Sequence, residues 1–317
     1  MMRLFSRSGS GLEELPAGAA PAGATWIDLA EPTGAEAAML SGLGIDMPSL
    51  ADMREIEVSS RLYRQGGADY MTVFLPGLTP EGKRRALPVT FILSDDRLVT
   101  IRHHAPRPFD SYPGHAATSA AGTGSAHRIT LGLIEEIVGR QADLIEGVGE
   151  ELDAMLARVL ADDLPRASTA LRDALRGLGL QGELLGQVRL ALLSLERALS
   201  FHRQIHAQRD ETLVDLVDGA QRDIRALVEH CGAVSARITF ATDLTLGLIS
   251  VDQNTTMRIF SIVAVFFLPP TLVASIYGMN FSRMPELDSP WGYPLALLVM
   301  VASAVLSYAI FKWRRWL

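Results

Sequence analysis

The chain has 317 residues, of which 48% are hydrophobic, and a formal net charge of −7. Its length allows more than one structural unit, and its acidic balance without a basic patch excludes a nucleic-acid-binding protein. The single cysteine, Cys231, cannot form an internal disulfide, which is typical of a reducing compartment. The sequence contains no phosphate-binding loop and no evident nucleophile–base arrangement, so it indicates neither an enzyme nor a resident cofactor.

The first 127 residues are predicted to form a compact α/β domain. Residues 6–24 are rich in Gly, Ala and Pro and are interpreted as a flexible lead-in. Thr33 and Glu36 have the spacing of a capping box, which predicts a short helix after them. Runs of β-branched and aromatic residues predict strands at 25–29, 69–75, 88–93 and 97–102. Residues 103–127 contain many helix and strand breakers and are interpreted as a link.

The middle of the chain is predicted to be helical. Apolar residues recur at helical spacing from residue 128, and Pro165 divides a helical hairpin that covers residues 128–209. A third helix over residues 210–277 has no turn signal before Pro269, so it is predicted to run from a stalk into the membrane. At 1.5 Å per residue this helix would be ~100 Å long. Because so long a helix needs neighbours that shield it, oligomerisation is expected.

Two uncharged segments near the C-terminus predict two membrane helices. Residues 259–280 and 289–311 contain no Asp, Glu, Lys or Arg, and each segment is long enough to cross a bilayer core of ~30 Å. Residues 278–288 are predicted to form a short external loop, and residues 312–317 a basic tail that stays inside. Since no apolar signal precedes the first domain, both termini are expected in the cytoplasm.

One stripe of the first membrane helix is predicted to line a pore. Its members follow one another at steps of three or four residues: Asn254, Met257, Phe260, Ala264, Leu268, Thr271, Ser275 and Gly278. The large apolar members can form a dewetting constriction, and the polar ones a mouth. Small residues at such spacing also pack helices together, and that alternative stays open.

The segment "YGMN" after this helix is interpreted as the mouth of the pore. Gly278 weakens the helix end, and Asn280 carries an amide oxygen that can bind the waters around a cation. Mg²⁺ loses its water shell reluctantly, so a ring of such oxygens suits hydrated Mg²⁺. The alternative is a C-cap glycine followed by a turn-forming asparagine. Glu286 and Asp288 either gather cations at the entrance or are solvated loop charges.

The C-terminal segments "IFSIVAVFFLPPTLVASIYGMNFSRMPEL" and "GYPLALLVMVASAVLSYAIFKWRRWL" resemble the bacterial branch of the CorA family of magnesium/cobalt transport proteins. The segments "TWIDLAEP", "REIEVSSRLY" and "FILSDDRLVTIR" resemble the N-terminal domain of that family. The resemblance implies an α+β fold in a funnel-shaped homopentamer of the bacterial inner membrane. In it, an N-terminal α/β cytoplasmic domain precedes a helical stalk that is continuous with the first of two C-terminal transmembrane helices.

The function that this resemblance implies is influx of hydrated Mg²⁺ driven by the membrane potential, with Co²⁺ and Ni²⁺ as further candidate ions. Gly278, Met279 and Asn280 would form the selectivity ring. A hydrophobic gate would be formed by Met257 and Phe260. The conduit would be lined by Asn254, Met257, Phe260, Ala264, Leu268 and Thr271. A basic collar would be formed by Arg258, Lys312, Arg314 and Arg315.

The resemblance also implies that intracellular Mg²⁺, bound between neighbouring cytoplasmic domains, holds the channel shut. The first acidic pair of the family falls on the segment "MREI" of this chain. Glu55 matches the second acid, whereas Arg54 replaces the first. The partner acid falls near Gly219, with Asp218 and Asp223 close by. This departure from the family pattern weakens the expected regulatory metal site.

Three other interpretations fit parts of the sequence. The chain could be a Zn²⁺ transporter of the same superfamily, or a membrane-tethered helical scaffold that conducts nothing. His202 and His206 stand four residues apart on a predicted helix, a spacing that can hold a metal ion. No third ligand stands near them in the sequence, so no metal site is predicted there.

Overall fold

The structure is a computed structural model that describes residues 1–55, 57, 60–160, 168–206, 211–279, 284 and 289–314. The chain divides into two compact units. The first consists of Met1–Leu164 and Asp173–Thr242, and the second of Pro165–Arg172 and Asp243–Leu317. The sheet and most of the predicted hairpin therefore belong to one compact unit.

A seven-stranded mixed sheet is the centre of the first unit, with the strand order β2-β1-β3-β7-β6-β5-β4. The strands are β1 (Met2–Ser8), β2 (Gly11–Glu14), β3 (Trp26–Ala30), β4 (Leu62–Gln65), β5 (Ala68–Leu78), β6 (Arg84–Leu93) and β7 (Leu98–Arg102). β3 and β7 pair in parallel, and the other neighbours pair antiparallel. The four strands predicted from the sequence are confirmed as β3, β5, β6 and β7.

Both faces of the central strands are buried, which explains why their sequences are mostly apolar rather than alternating. Phe91 in β6 faces a core that includes Phe109 and Ile129 from helices on one side of the sheet. The next residue, Ile92, faces a second core that includes Leu40 and Met53 from helices on the other side. A strand covered on both faces is apolar at most positions, so alternation of apolar and polar residues is lost.

The predicted flexible lead-in over residues 6–24 is wrong for its first part. β1 and β2 form an antiparallel hairpin at the edge of the sheet, and Gly9 in its turn has φ of 58°. Phe5 is 1% exposed, and its ring stacks on Trp26 at a centroid distance of 4.6 Å. The Gly- and Ser-rich composition reflects the turn of this hairpin, because glycine adopts positive φ without steric cost.

Short helices cover the sheet: α1 (Gly34–Gly42), α2 (Leu50–Arg54) and α3 (Pro108–His115). The predicted capping box of α1 is confirmed, since Glu36 N donates to Thr33 Oγ1 at 3.3 Å and Thr33 N donates to Glu36 Oε2 at 2.7 Å. The segment interpreted as a link, residues 103–127, contains α3. This helix forms because Phe109 and Tyr112 lie on one face of it and are fully buried against the sheet.

A buried ion pair joins the two parallel strands. The guanidinium of Arg102 in β7 donates to the carboxylate of Asp28 in β3, at 2.9 Å from Nη2 to Oδ2. Thr100 Oγ1 donates to Asp28 Oδ1 at 2.8 Å, and Trp26 Nε1 donates to Thr100 Oγ1 at 3.0 Å. All four side chains are at most 6% exposed. Their burial removes water from the two charges, and the hydrogen bonds compensate for this desolvation.

Four long helices follow: α4 (Ala126–Leu160), α5 (Ser168–His206), α6 (Glu211–Tyr277) and α7 (Gly292–Trp313). α6 is one helix through to Tyr277, which confirms the predicted continuity of the stalk with the first membrane helix. Pro165 and Asp210, the predicted helix boundaries, lie outside the described residues. Leu133, Val188 and Ile224, one from each of α4, α5 and α6, meet in the main core of the first unit.

Candidate functional site

Among the residues that the structure describes, two helices are long and apolar enough to cross a membrane: α6, counted from Thr212, and α7. In the second unit these helices leave large apolar side chains exposed, among them Phe267 at 68% and Leu298 at 64%. A soluble unit rarely exposes so many large apolar residues together. Exposure of this kind fits a helix pair that is covered by lipid or by further copies of the chain.

α7 packs on one stripe of α6. α7 buries Gly292, Ala296, Ser307 and Phe311, and of these Ser307 and Phe311 contact α6. On the α6 side, the ring of Phe266 lies 6.3 Å from Tyr308 and 6.4 Å from Phe311 between centroids. Small residues such as Gly292 and Ala296 let membrane helices approach closely. The helix pair therefore uses a defined face of α6.

Two consecutive prolines lie inside α6, at Pro269 and Pro270. Pro269 has no N–H, so the carbonyl oxygen of Val265, four residues earlier, loses its helical donor. Ser307 Oγ in α7 donates to this oxygen at 3.5 Å. An unpaired carbonyl is costly where no water is present, so α7 supplies the missing donor.

The predicted pore stripe lies on a different face of α6. Asn254, Met257, Phe260, Ala264, Leu268 and Thr271 are all exposed, with Met257 at 65%, Phe260 at 67% and Leu268 at 66%. Leu268 follows Phe266 by two residues, which is a rotation of ~200° around a helix with 3.6 residues per turn. The stripe thus points away from α7. One chain encloses no conduit with it, so a pore along this stripe requires further copies.

The chain after α6 is described without a gap as far as Met279. Gly278 N donates to Ala274 O at 2.9 Å, and Met279 N donates to Ile276 O at 3.2 Å, so the last turn tightens beyond Tyr277. A Cβ atom added to Gly278 would lie 3.2 Å from Ala274 O, which is a tight contact. Asn280, Glu286 and Asp288 lie outside the described residues.

The predicted basic collar is described in part. Arg258, Lys312 and Arg314 are exposed, and Arg315 lies outside the described residues. Lys312 Nζ lies 5.9 Å from the centroid of the Tyr308 ring, within range of a cation–π interaction. The collar itself stays a prediction.

The predicted regulatory acids do not meet within one chain. Asp218 is held by Arg203, at 3.0 Å from Nε to Oδ1 and at 3.1 Å from Nη2 to Oδ2. Glu55 and Asp223 are exposed. Across the part of the chain that the structure describes, these three acids do not form a cluster with metal-ligand spacing. A metal site that uses Asp218 would have to displace the guanidinium of Arg203.

A cluster of three histidines does form, and sequence reasoning missed its third member. One ring nitrogen from each of His127, His202 and His206 lies within 4.8 Å of the others. His127 belongs to α4, and the other two belong to α5. His127 and His202 are 75 residues apart, so their sequence spacing carries no signal of contact. Only the antiparallel packing of α4 on α5 brings them together.

Comparison with known proteins relates this chain to one family of transporters. A family model described as CorA-like Mg²⁺ transporter protein matches residues 21–314. Proteins named magnesium transport protein CorA from Mannheimia succiniciproducens and Haemophilus influenzae are 35% and 33% identical over 298 residues, which cover 93% of this chain and 92% of each relative. The protein of that name from Salmonella typhimurium is 32% identical over 295 residues, with the same two coverages.

Solved structures share the fold. The CorA magnesium transporter of Methanocaldococcus jannaschii matches with a TM-score of 0.74 at 18% identity, over 98% of this chain and 97% of that one. The full-length CmaX protein matches with a TM-score of 0.57 at 19% identity, over 99% of this chain and 97% of that one. These matches confirm an N-terminal α/β domain followed by a long helix and a C-terminal helix.

Proposed function

The chain belongs to the CorA-like Mg²⁺ transporter family and is an integral membrane protein, and on this premise we propose that it conducts hydrated Mg²⁺ through a membrane pore. Co²⁺ and Ni²⁺ are the further ions that the pore would admit. The relatives named for magnesium transport match along 93% of this chain, so both the domain and the membrane helices support the proposal.

The observation that carries the proposal is the exposed stripe of α6. Phe260 and Leu268 are two-thirds exposed, although the same helix packs Phe266 against α7. Five copies of the chain around one axis would cover the stripe and make it the wall of a conduit. Met257 and Phe260 would then form a hydrophobic gate, because apolar constrictions block ions by dewetting.

Ion selection is assigned to the segment Gly278, Met279 and Asn280. Amide oxygens of Asn280 from each copy would accept hydrogen bonds from the waters around the ion, so the ion keeps its shell. The uncharged segments 259–280 and 289–311 contain no carboxylate, histidine or cysteine. An inner-shell site for Zn²⁺ within the membrane is therefore disfavoured.

The driving force would be the membrane potential alone. A potential that is negative inside contributes about 2.3 kcal/mol per charge per 100 mV, and hence about 4.6 kcal/mol for a dication. We place the N-terminal domain and both termini in the cytoplasm of a bacterial inner membrane. The exposed cations Arg258, Lys312 and Arg314 support this orientation, because positive flanks stay inside.

Regulation is assigned to intracellular Mg²⁺ at the contacts between cytoplasmic domains. Glu55 of one copy and Asp218 or Asp223 of its neighbour would supply the carboxylates. Arg54 introduces a positive charge beside Glu55, and Arg203 holds Asp218 in an ion pair. Both cations compete with a bound metal, so a low affinity for regulatory Mg²⁺ is expected.

The test is reconstitution of the purified protein into liposomes that contain a Mg²⁺-sensitive dye. An imposed potential that is negative inside should drive Mg²⁺ influx, and Asn280→Ala should reduce this influx strongly. Leu298→Ala is the matched control, because Leu298 is an exposed residue of α7 outside the pore stripe. Influx that does not depend on the potential, or that is unchanged by Asn280→Ala, would reject the proposal. The same assay with a Zn²⁺-sensitive dye tests the alternative that the chain transports Zn²⁺. If no ion enters the liposomes, the chain is a scaffold that does not conduct.

A further inference from the structure

The histidine cluster lies at the edge of the main core of the first unit. His202 is 2% exposed, His206 is 3% and His127 is 9%. The ring centroids are 4.5 Å apart for His127 and His206, 4.8 Å for His202 and His206, and 5.3 Å for His127 and His202. Three imidazoles thus converge on one small buried volume between α4 and α5.

The nitrogen spacing approaches that of a metal site. Nδ1 of His127 lies 3.1 Å from Nε2 of His202, which is also the distance of a hydrogen bond between the two rings. Two nitrogens bound to one tetrahedral zinc at ~2.0 Å would be ~3.3 Å apart. The largest separation, 4.8 Å, exceeds this value by about 1.5 Å. Binding of a metal would therefore require the three imidazole rings to move closer together.

Two buried ring nitrogens of the cluster have no hydrogen-bond partner among the described residues: Nδ1 of His202 and Nδ1 of His206. Buried polar atoms in native proteins are nearly always paired with protein, water or an ion.

Two carboxylates lie next to the histidine cluster. Oδ2 of Asp69, at the start of β5, accepts a hydrogen bond from Nε2 of His206 at 2.5 Å. Asp69 is 1% exposed, and its Oδ1 lies 3.6 Å from Arg64 Nε. Oδ1 of Asp95 lies 3.9 Å from Nε2 of His127. A carboxylate that accepts from one ring nitrogen fixes the tautomer of a histidine and increases the basicity of the other nitrogen.

We propose that His127, His202 and His206 bind one transition-metal dication of the Zn²⁺ class, with Asp69 orienting His206 from β5. Imidazole ligands suit Zn²⁺, Ni²⁺ and Co²⁺, whereas Mg²⁺ requires oxygen ligands. The site is thus distinct in chemistry from the transport of Mg²⁺, and it stands whether or not the chain conducts. Bound metal would join α4, α5 and the sheet, since the ligands and Asp69 come from all three.

The experiment uses the full-length protein, purified in detergent, stripped with a chelator and kept in excess Mg²⁺ so that oxygen sites are filled. Titration with Zn²⁺ by calorimetry should give one site per chain that Mg²⁺ does not displace. When Co²⁺ replaces Zn²⁺ at this site, the protein should show the visible absorption of a tetrahedral nitrogen-bound ion. His202→Gln should abolish this site, and Asp69→Asn should weaken it about 10- to 100-fold. His230→Gln, at an exposed histidine of α6, is the control and should leave binding unchanged.

A second variant and a second measurement keep the test decisive if His202→Gln fails to fold. His127→Gln changes the least buried of the three ligands and should also abolish the site. X-ray absorption at the zinc edge of the unmodified protein should show imidazole scattering. The proposal is overturned if the stripped, folded protein takes up no Zn²⁺. It is also overturned if the zinc shell contains oxygen alone, or if folded His127→Gln binds as the unmodified protein does.

Discussion

Ser307 Oγ in α7 donates to the carbonyl oxygen of Val265 in α6 at 3.5 Å, and that oxygen lacks a helical donor because Pro269 follows it by four residues. The contact ties the proline interruption of α6 to the position of α7. It supplies a donor to the carbonyl that Pro269 leaves without one, within a helix that continues to Tyr277.

Removal of this hydroxyl should weaken the helix pair. Ser307→Ala is expected to destabilise the protein by about 0.6 kcal/mol, and by no more than ~1.7 kcal/mol, the range of hydrogen bonds between membrane helices. Unfolding of the detergent-solubilised protein measures the change. Ser303→Ala is the control, because Ser303 Oγ donates to Met300 O in its own helix. Equal effects of the two variants would contradict the role of Ser307.

The buried pair of Arg102 and Asp28 predicts a larger effect. Arg102→Met leaves the carboxylate of Asp28 buried without its cation, which should destabilise the first unit by about 3–5 kcal/mol. Adding Asp28→Leu to this variant should restore much of the stability, because no lone charge then remains. Arg140→Met removes an exposed i,i+3 pair with Asp143 and should cost less than ~1 kcal/mol. A double variant as unstable as Arg102→Met would contradict this account.

His104 makes stability depend on pH. Burial lowers the pKa of His104 to about 4 from 6.5, the hydrogen bond to Leu75 O opposes this shift, and the neighbouring Arg102 and His103 add to it. Between these two values the unfolded chain binds a proton that the folded chain does not. The contribution of His104 to the free energy of unfolding is therefore complete above pH 6.5. It is lost as the pH falls, by at most ~1.4 kcal/mol per pH unit.

Melting temperatures of the purified protein between neutral and mildly acidic pH test this dependence. They should fall as the solution is acidified, and less steeply for His104→Gln than for the unmodified protein. His230→Gln serves as the control, since His230 is exposed on α6. If the slopes with pH are the same with and without His104, the assignment fails.

The ion pair between Arg203 and Asp218 predicts a change in regulation, on the basis of the proposed function. Arg203→Ala frees the carboxylate of Asp218, so Mg²⁺ should bind it more readily and shut the pore at a lower internal concentration. Influx into liposomes loaded with graded Mg²⁺ measures this shift. Arg225→Ala breaks a comparable pair with Glu196 and should leave the threshold unchanged. A threshold that rises in Arg203→Ala would argue against a regulatory role for Asp218.

The gate assigned to Phe260 predicts a change in flux. Phe260→Ala removes an apolar ring from the exposed stripe, so the constriction should stay hydrated and Mg²⁺ influx should rise. The same liposome assay measures the rate. Leu272→Ala is the control, because Leu272 is also exposed but lies ~120° around the helix from Phe260. Flux that is equal in the two variants would place the gate elsewhere.

Part of the candidate site followed from the sequence. The charge-free segments predicted the membrane helices, and the missing turn signal before Pro269 predicted that α6 is continuous. The sequence also predicted a stripe from Asn254 to Thr271, and the structure leaves that stripe exposed on a face away from α7. Its role in a pore stays a prediction, as does that of Asn280, which lies outside the described residues.

The sequence by itself determined the properties that depend on neighbours along the chain. Helix periodicity, apolar strands and the capping box of Thr33 and Glu36 are local, because backbone hydrogen bonds and side-chain spacing act within a few residues. Tertiary structure alone decided which distant side chains meet. It placed Arg102 on Asp28, and it brought His127 to His202 across 75 residues. Such contacts depend on how whole helices and strands pack, which no short stretch of sequence specifies.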